Sequence, residues 1–363
     1  MVEKETAHRM SRRNIYYWKC DRPAAFHGTG TRPRKDEEIE TQLLEALQEH
    51  FATCAVKLSP GIGQGNHLTW KATIDGTPMF LRVENGPERD RHLAVESAIL
   101  DRVRECGVRT PLVHGCDASR QKVPFAWQAL EFIAEPDLNH WQKQQCLNED
   151  QIAYEIGVAI AKWQSVTMPG FGVPDENLHG YHEKYADYFH LNLERHLDFL
   201  VENQFFNPEQ KLEILTAITG HSALLELEQG CLVHKDLALW NILGTSGQIT
   251  AFIDFDDSIS GDPMDDLSLA ACFHSAEFLR HIIEGYETMR SLPTEHRRRF
   301  WLHLLRNMIV KAVIRVGAGY FERDDRFFLI GKGGTGTDLK IATHEKITIA
   351  LRGLREDLEL SQL

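Results

Sequence analysis

Asp236, Asn241 and Asp254 fall within one stretch, CLVHKDLALWNILGTSGQITAFIDFDD (residues 231–257), at spacings suited to metal-assisted phosphoryl transfer. That chemistry needs a hydroxyl aligned with phosphorus and the charge on the phosphate oxygens neutralised, with little covalent help from the protein. Asp236 is the candidate base for the hydroxyl proton. Asn241 and Asp254 are candidate oxygen ligands for magnesium, which prefers oxygen and is usually held by one or two side chains plus phosphates and waters. Asp236 and Asn241 sit five positions apart in a loop after a short apolar strand, residues 231–233. Asp254 ends a second strand, QITAFID, and the turn-rich GTSGQ before it predicts a hairpin that returns Asp254 toward the first pair. Each residue alone would read as turn or strand-end polarity; the set, with His234 two places before Asp236, reads as one site.

HKDLALWN, followed by IDFDD and GDPMDDL, resembles the aminoglycoside phosphotransferase and choline kinase group, small-molecule kinases with a protein-kinase-like fold. The resemblance implies an α+β, bilobal molecule with a small β-rich N-lobe and a larger, mainly helical C-lobe. It implies ATP or GTP as co-substrate, Mg2+, and a small-molecule hydroxyl acceptor. In such enzymes the second Asp of the GDP-containing signature braces the catalytic loop; here that residue is Asp266. A carboxylate in the first turn after Pro263 would also suit the helix dipole. His234 is expected to brace the loop.

The same resemblance requires a phosphate-covering turn, a basic strand residue and a partnering Glu in the N-terminal half. Gly61, Gly63 and Gly65 lie between two strand-like runs, with Asn66 beside them, in a hairpin context unlike the strand-to-helix turn of dinucleotide sites. A plain glycine-rich turn is the competing reading. Arg82, in FLRVE, stands where protein kinases carry a phosphate-contacting Lys; its planar fork also grips phosphate but with a different reach. Glu96, on the helical pattern of RHLAVESAILDRVRECGV, is its expected partner, against the ordinary reading of a solvated helix face. VPFAWQALEFIAEPDL reads as a buried strand leading to a hinge, and the resemblance puts the Leu130 carbonyl and Phe132 amide against the nucleotide base.

The 363 residues exceed the usual single-domain size. The expected division is an arm, 1–36; a nucleotide-binding lobe, 37–130; and a catalytic and acceptor-binding lobe, 131–363. A 42% apolar and 26% charged composition is that of an ordinary soluble protein. The formal charge of −13 disfavours nucleic acid and favours an amino-bearing acceptor such as an amino sugar, aminocyclitol or amino alcohol, although solubility accounts for the same number. Seven scattered cysteines without paired spacing, no signal-peptide pattern and no long apolar run predict a cytoplasmic protein with reduced thiols and no membrane partner. The sequence does not indicate an oligomeric state.

IYYWKC in the arm is expected to strap it onto the small lobe, with cover of the acceptor pocket as the alternative. DEEIETQLLEALQEHF reads as an amphipathic helix, and helical patterns dominate from about residue 148. GKGGTGTD lacks the ending of a phosphate-binding loop and reads as a flexible connection. In the resembling enzymes the helical lobe supplies acidic groups to a polar substrate, which implies acceptor contacts at Asp256 and Asp257, with His274 and Glu277 as further candidates and an ordinary polar surface as the competing reading. Two other functions remain open: a nucleotide-binding pseudokinase or regulatory module, and, with less room for a peptide-docking loop after Asp254, a protein kinase.

Overall fold

The computed structural model describes residues 12–21, 37–61, 67–86, 88–323 and 334–363. The N-terminal part is an antiparallel sheet in the order β1-β2-β3-β5-β4, built from β1 (Val56–Pro60), β2 (Leu68–Ile74), β3 (Thr77–Glu84), β4 (Val113–Asp117) and β5 (Ala126–Glu131). Asp75 and Gly76 both take positive φ, 48° and 81°, as a tight right-twisted hairpin turn requires, and this sets the β2–β3 register. Strand alternation then divides β3 between two environments. Leu81 and Val83 join a core with helix α1 (Glu37–His50), which contributes Ile39, Leu43, Ala46 and Leu47 at helical spacing. Arg82 belongs to the opposite set, where helix α2 (His92–Glu105) brings up Glu96.

After β5 the chain becomes mainly helical: α3 (Leu138–Lys143), α4 (Glu149–Trp163), α5 (Tyr185–Phe189), α6 (Leu193–Glu202), α7 (Pro208–Gly220), α8 (Met264–Ala271), α9 (Ala276–Glu287), α10 (His296–Gly317) and α11 (Gly336–Glu356). A second sheet, ordered β6-β9-β12-β7-β8, contains β6 (Thr167–Met168), β7 (Phe171–Pro174), β8 (Gly180–His182), β9 (Gly230–Val233) and β12 (Ile259–Gly261), while β10 (Ile242–Gly244) and β11 (Ile249–Phe252) form a separate hairpin. The predicted hairpin is therefore β10–β11, and the strand entering the catalytic loop, β9, pairs with β12 and β6 instead. Gly157 of α4 and Gly285 of α9 let those helices touch: a Cβ at Gly157 would lie 1.9 Å from the Ile282 carbonyl oxygen. The 22-residue α10 is buried along most of its length.

Two sequence expectations change. The described part of GKGGTGTD is the ordered start of α11, where Thr335 and Asp338 form a reciprocal capping box; its first residues lie outside the described set. The arm residues 12–21 pack chiefly on the helical lobe rather than the small lobe. Tyr16 stacks on Tyr188 at 4.9 Å and lies under the Arg306 guanidinium at 3.6 Å, so the aromatic cluster finds its partners on α5 and α10. Among the described residues, no helix is long and apolar enough to cross a membrane.

Candidate active site

β9 ends at Val233 in the buried core, and the backbone of the next two residues is fixed by a carboxylate from α8. Asp266, fully buried, accepts from the backbone N–H groups of His234 (3.0 Å) and Lys235 (3.2 Å) and from Trp163 Nε1 (2.9 Å). The His234 ring meets the Ile253 carbonyl at 3.0 Å and lies 3.3 Å from the Asp236 amide, tying the loop to the segment that ends β11. Lys235 adopts a left-handed backbone, φ 69°, unusual for a residue with a side chain. Its ammonium is buried with Asp265 (2.6 Å), Asn307 (3.0 Å) and the Tyr16 hydroxyl (3.1 Å).

Asp236 is held on both oxygens. Oδ1 accepts from the Tyr17 phenol (2.7 Å) and Lys311 Nζ (3.2 Å); Oδ2 accepts from Lys19 Nζ (3.1 Å) and Asn241 Nδ2 (3.2 Å). Burial would raise this carboxyl, but Lys19, Lys311 and the Tyr17 hydrogen bond outweigh it and hold it well below the usual carboxylate range. Asn241 also donates to the Asp236 carbonyl (2.8 Å), and its own carbonyl accepts from Ile253 N (3.0 Å), which places Asp254 next to it in the backbone path.

Asp254 also takes a left-handed conformation, φ 64°, and presents a carboxylate 39% exposed. Its Oδ1 accepts from Arg82 Nη2 at 3.1 Å, while Arg82 Nη1 reaches both Glu96 oxygens at 2.5 and 2.6 Å. Burial would lower the Arg82 pKa, but Glu96, Asp254 and Asp256 raise it, so the guanidinium stays charged. The structure thus brings Arg82, Glu96 and Asp254 into one connected group, with Asn241 and Asp236 in a second, joined through Ile253.

Asp256 turns into the junction between the lobes. It meets His67 at 3.3 Å and Arg12 at 3.9 Å, its backbone carbonyl meets His92 at 2.6 Å, and it therefore lies among N-lobe and arm residues. Asp257 is half-buried; burial, and then Asp236, push its carboxyl up to about 7. His274 stacks on Phe278 at 4.0 Å, and Glu277 is exposed in the first turn of α9. Leu130 lies between β3 and β4, opposite Phe80 and Val113, and Phe132 follows the end of β5 with Lys71 Nζ 4.8 Å over its ring. Gly63, Gly65 and Asn66 lie outside the described residues.

Sequence reasoning missed Lys19, Lys235 and Lys311, and reached Tyr17 only through the less favoured alternative that IYYWKC covers the acceptor pocket. One usable signal was present: Asn307, Lys311 and Arg315 recur every fourth residue through the apolar run of α10, which puts a polar stripe on one face of a buried helix. Among the described residues, no group of three or more His, Cys, Asp or Glu side chains forms a metal cluster.

The small antiparallel lobe, the helical lobe and the braced loop between them define a kinase-like phosphotransferase. The chain belongs to the APH phosphotransferase enzyme family, whose sequence model matches residues 60–301. Similar solved structures include aminoglycoside phosphotransferase APH(4)-Ia (TM-score 0.59, 16% identity, 86% of this chain and 98% of that one) and a putative fructosamine-3-kinase from Haemophilus somnus 129PT (0.57, 14%, 85% and 97%). The gentamicin complex of APH(2")-IIa is another (0.54, 15%, 91% and 99%). A thermostable mutant of APH(4)-Ia has been solved as a ternary complex with ADP and hygromycin B. Among curated proteins, none matches this sequence.

Proposed function

We propose that the protein transfers the γ-phosphate of ATP or GTP to a hydroxyl of a small polar molecule. The observation that carries this reading is the convergence of Glu96, Arg82 and Asp254 on one side of Ile253 and of Asn241 and Asp236 on the other. Asp236 orients the acceptor hydroxyl and receives its proton as the new O–P bond forms and the bond to the β-phosphate oxygen breaks, releasing the nucleoside diphosphate. His234 and Asp266 keep the loop in place. Arg82, held by Glu96, faces the phosphates, with Gly63, Gly65 and Asn66 covering them, and the Leu130 to Phe132 main chain meets the base.

The oxygen donors of Asn241 and Asp254 fit magnesium: both are hard ligands, and the Asp254 carboxylate remains half open beside Arg82. The ion would neutralise phosphate charge. The small number of protein ligands suits an ion that also uses phosphate oxygens and water.

The test is nucleotide consumption with both donors across sugars, amino sugars, amino alcohols and hydroxy acids, followed by product mass. Asp236→Ala should retain magnesium-dependent nucleotide binding, seen as a thermal shift, and lose about 10²–10⁴-fold in turnover. Undiminished turnover would sink the assignment. A second reading, a nucleotide-binding regulatory module, is motivated by the four donors on Asp236, which leave the base heavily occupied. Nucleotide binding without any phosphorylated product across the panel would favour it.

A further inference from the structure

We infer that the acceptor carries an anionic group, a carboxylate or a phosphate, close to the hydroxyl that is phosphorylated, and that Lys19 and Lys311 recognise it. This rests on the kinase reading above and narrows its acceptor class. The first observation is local charge. Two ammonium groups, at 3.1 and 3.2 Å, meet the single carboxylate of Asp236, more positive charge than that carboxylate balances alone. Asp257 and then Asp254 also act on Lys19, but Asp254 is already paired with the Arg82 guanidinium at 3.1 Å, and burial, then Asp236, push the Asp257 carboxyl up to about 7. An anion on the acceptor balances the excess, whereas an amine there adds a third cation to the same few ångströms. The overall charge of −13 pointed toward an amine, but that field is spread over the molecule and does not describe this pocket.

The second observation is which donor can yield. Tyr17 is 2% exposed, the Lys311 side chain 9%, and Asn241 5%, whereas the Lys19 side chain is 37% exposed. An incoming hydroxyl therefore reaches Oδ2 by displacing the Lys19 ammonium. The flexible stem lets that ammonium remain nearby on the acceptor's anion.

The third observation is that the arm is a fixed wall. Asp21 accepts from the backbone N–H groups of Tyr16 (2.8 Å) and Tyr17 (3.1 Å), meets the His196 ring at 2.8 Å and pairs with Arg195. Tyr188 donates to the Tyr16 carbonyl at 2.7 Å, and Asn192 to that of Asn14 at 2.9 Å. Swinging the arm aside would break all of these together, so Lys19 belongs to the site as folded. Lys19 and Lys311 both lie outside the family match at 60–301, so acceptor recognition here comes from parts of the chain that the family match does not cover.

The experiment is a matched three-carbon series, glycerol, D-glycerate, glycerol 3-phosphate and 2-amino-1,3-propanediol, given to the full chain with ATP and Mg2+. ADP release and product mass are the readouts. The expected result is kcat/KM at least about tenfold higher for one or both anions than for glycerol, with the amine below glycerol. Preference for glycerate or for glycerol 3-phosphate identifies the anion. Lys19→Met should remove the preference mainly through KM, and Lys19→Arg should keep it. An active amine with inert anions, equal or absent turnover of all four, or an anion preference unaltered in Lys19→Met would overturn the inference. Magnesium-dependent ATP binding, measured separately by thermal shift, tells whether the kinase reading has failed as well.

Discussion

The Tyr17 phenol donates a 2.7 Å hydrogen bond to Asp236 Oδ1 across 219 residues of sequence. A hydrogen bond to a charged group contributes about 1.5–3 kcal/mol, and this one also helps keep the Asp236 carboxyl acidic. Its removal moves the Asp236 pKa upward. Tyr17→Phe should therefore fold, bind nucleotide with unchanged affinity, and show the acid limb of its kcat profile at higher pH than the wild type. An identical profile would mean that the phenol packs beside the base without tuning it.

Arg82 makes an argument about side-chain shape. One of its nitrogens serves both Glu96 oxygens and another serves Asp254, a division that a single ammonium at the end of a shorter, unforked stem cannot reproduce. Arg82→Lys should keep the Glu96 pair, lose the Asp254 contact and raise KM for the nucleotide by about tenfold. Arg82→Ala leaves the fully buried Glu96 carboxylate without its cation, and breaking a buried pair in this way costs about 3–5 kcal/mol. Urea midpoints would show it, and adding Glu96→Gln to Arg82→Ala should recover part of the loss.

The readable part of this site was local. Asp236, Asn241 and Asp254 share one short stretch, and strand and turn chemistry alone brings them near one another. Arg82 and Glu96 are 14 residues apart, and the helical period that buries Leu93, Ile99 and Leu100 buries Glu96 as well. Tyr17 was reached only through the less favoured alternative, and Lys19 and Lys311 not at all, because nothing local aims them: their contacts with Asp236 span 219, 217 and 75 residues. The aromatic run around Tyr16 signalled burial without naming a partner, and the partner turned out to be Tyr188 and Arg306. Asp256 looked like an acceptor contact from its place after Asp254, yet one residue of helical turn sends it toward His67 and Arg12.

Glu84 should give stability an uncommon pH slope. It ends β3 at 5% exposure, neither carboxylate oxygen has a hydrogen-bond partner among the described residues, and Arg120 stays 3.9 Å away. Burial, then Asp90, push its carboxyl from the ordinary 4.5 up to about 8, against Arg12 and Arg120. The folded chain thus holds a proton that the unfolded chain releases. Its contribution to stability is complete below 4.5, falls as pH rises and is gone above about 8. Glu84→Gln should flatten that part of the melting-temperature profile and be the more stable protein on the alkaline side. Because His67 and His92 titrate in the opposite sense, the difference between the two proteins is the quantity to read.

Lys235 sits between His234 and Asp236 in the motif and ties three elements to the loop: the arm through Tyr16, α8 through Asp265 and α10 through Asn307. Burial opposes its charge, but Asp265 and Tyr16 keep it protonated. Lys235→Met preserves the length of the side chain and removes the charge, stranding Asp265 in a site where it is fully buried. The cost should be about 3–5 kcal/mol in urea unfolding. Lys235→Met with Asp265→Asn removes both charges and should return much of that stability, while turnover stays low because Asn307 and Tyr16 no longer hold the residue beside the base. Full recovery of both stability and turnover in the double variant would reduce Lys235 to a packing residue.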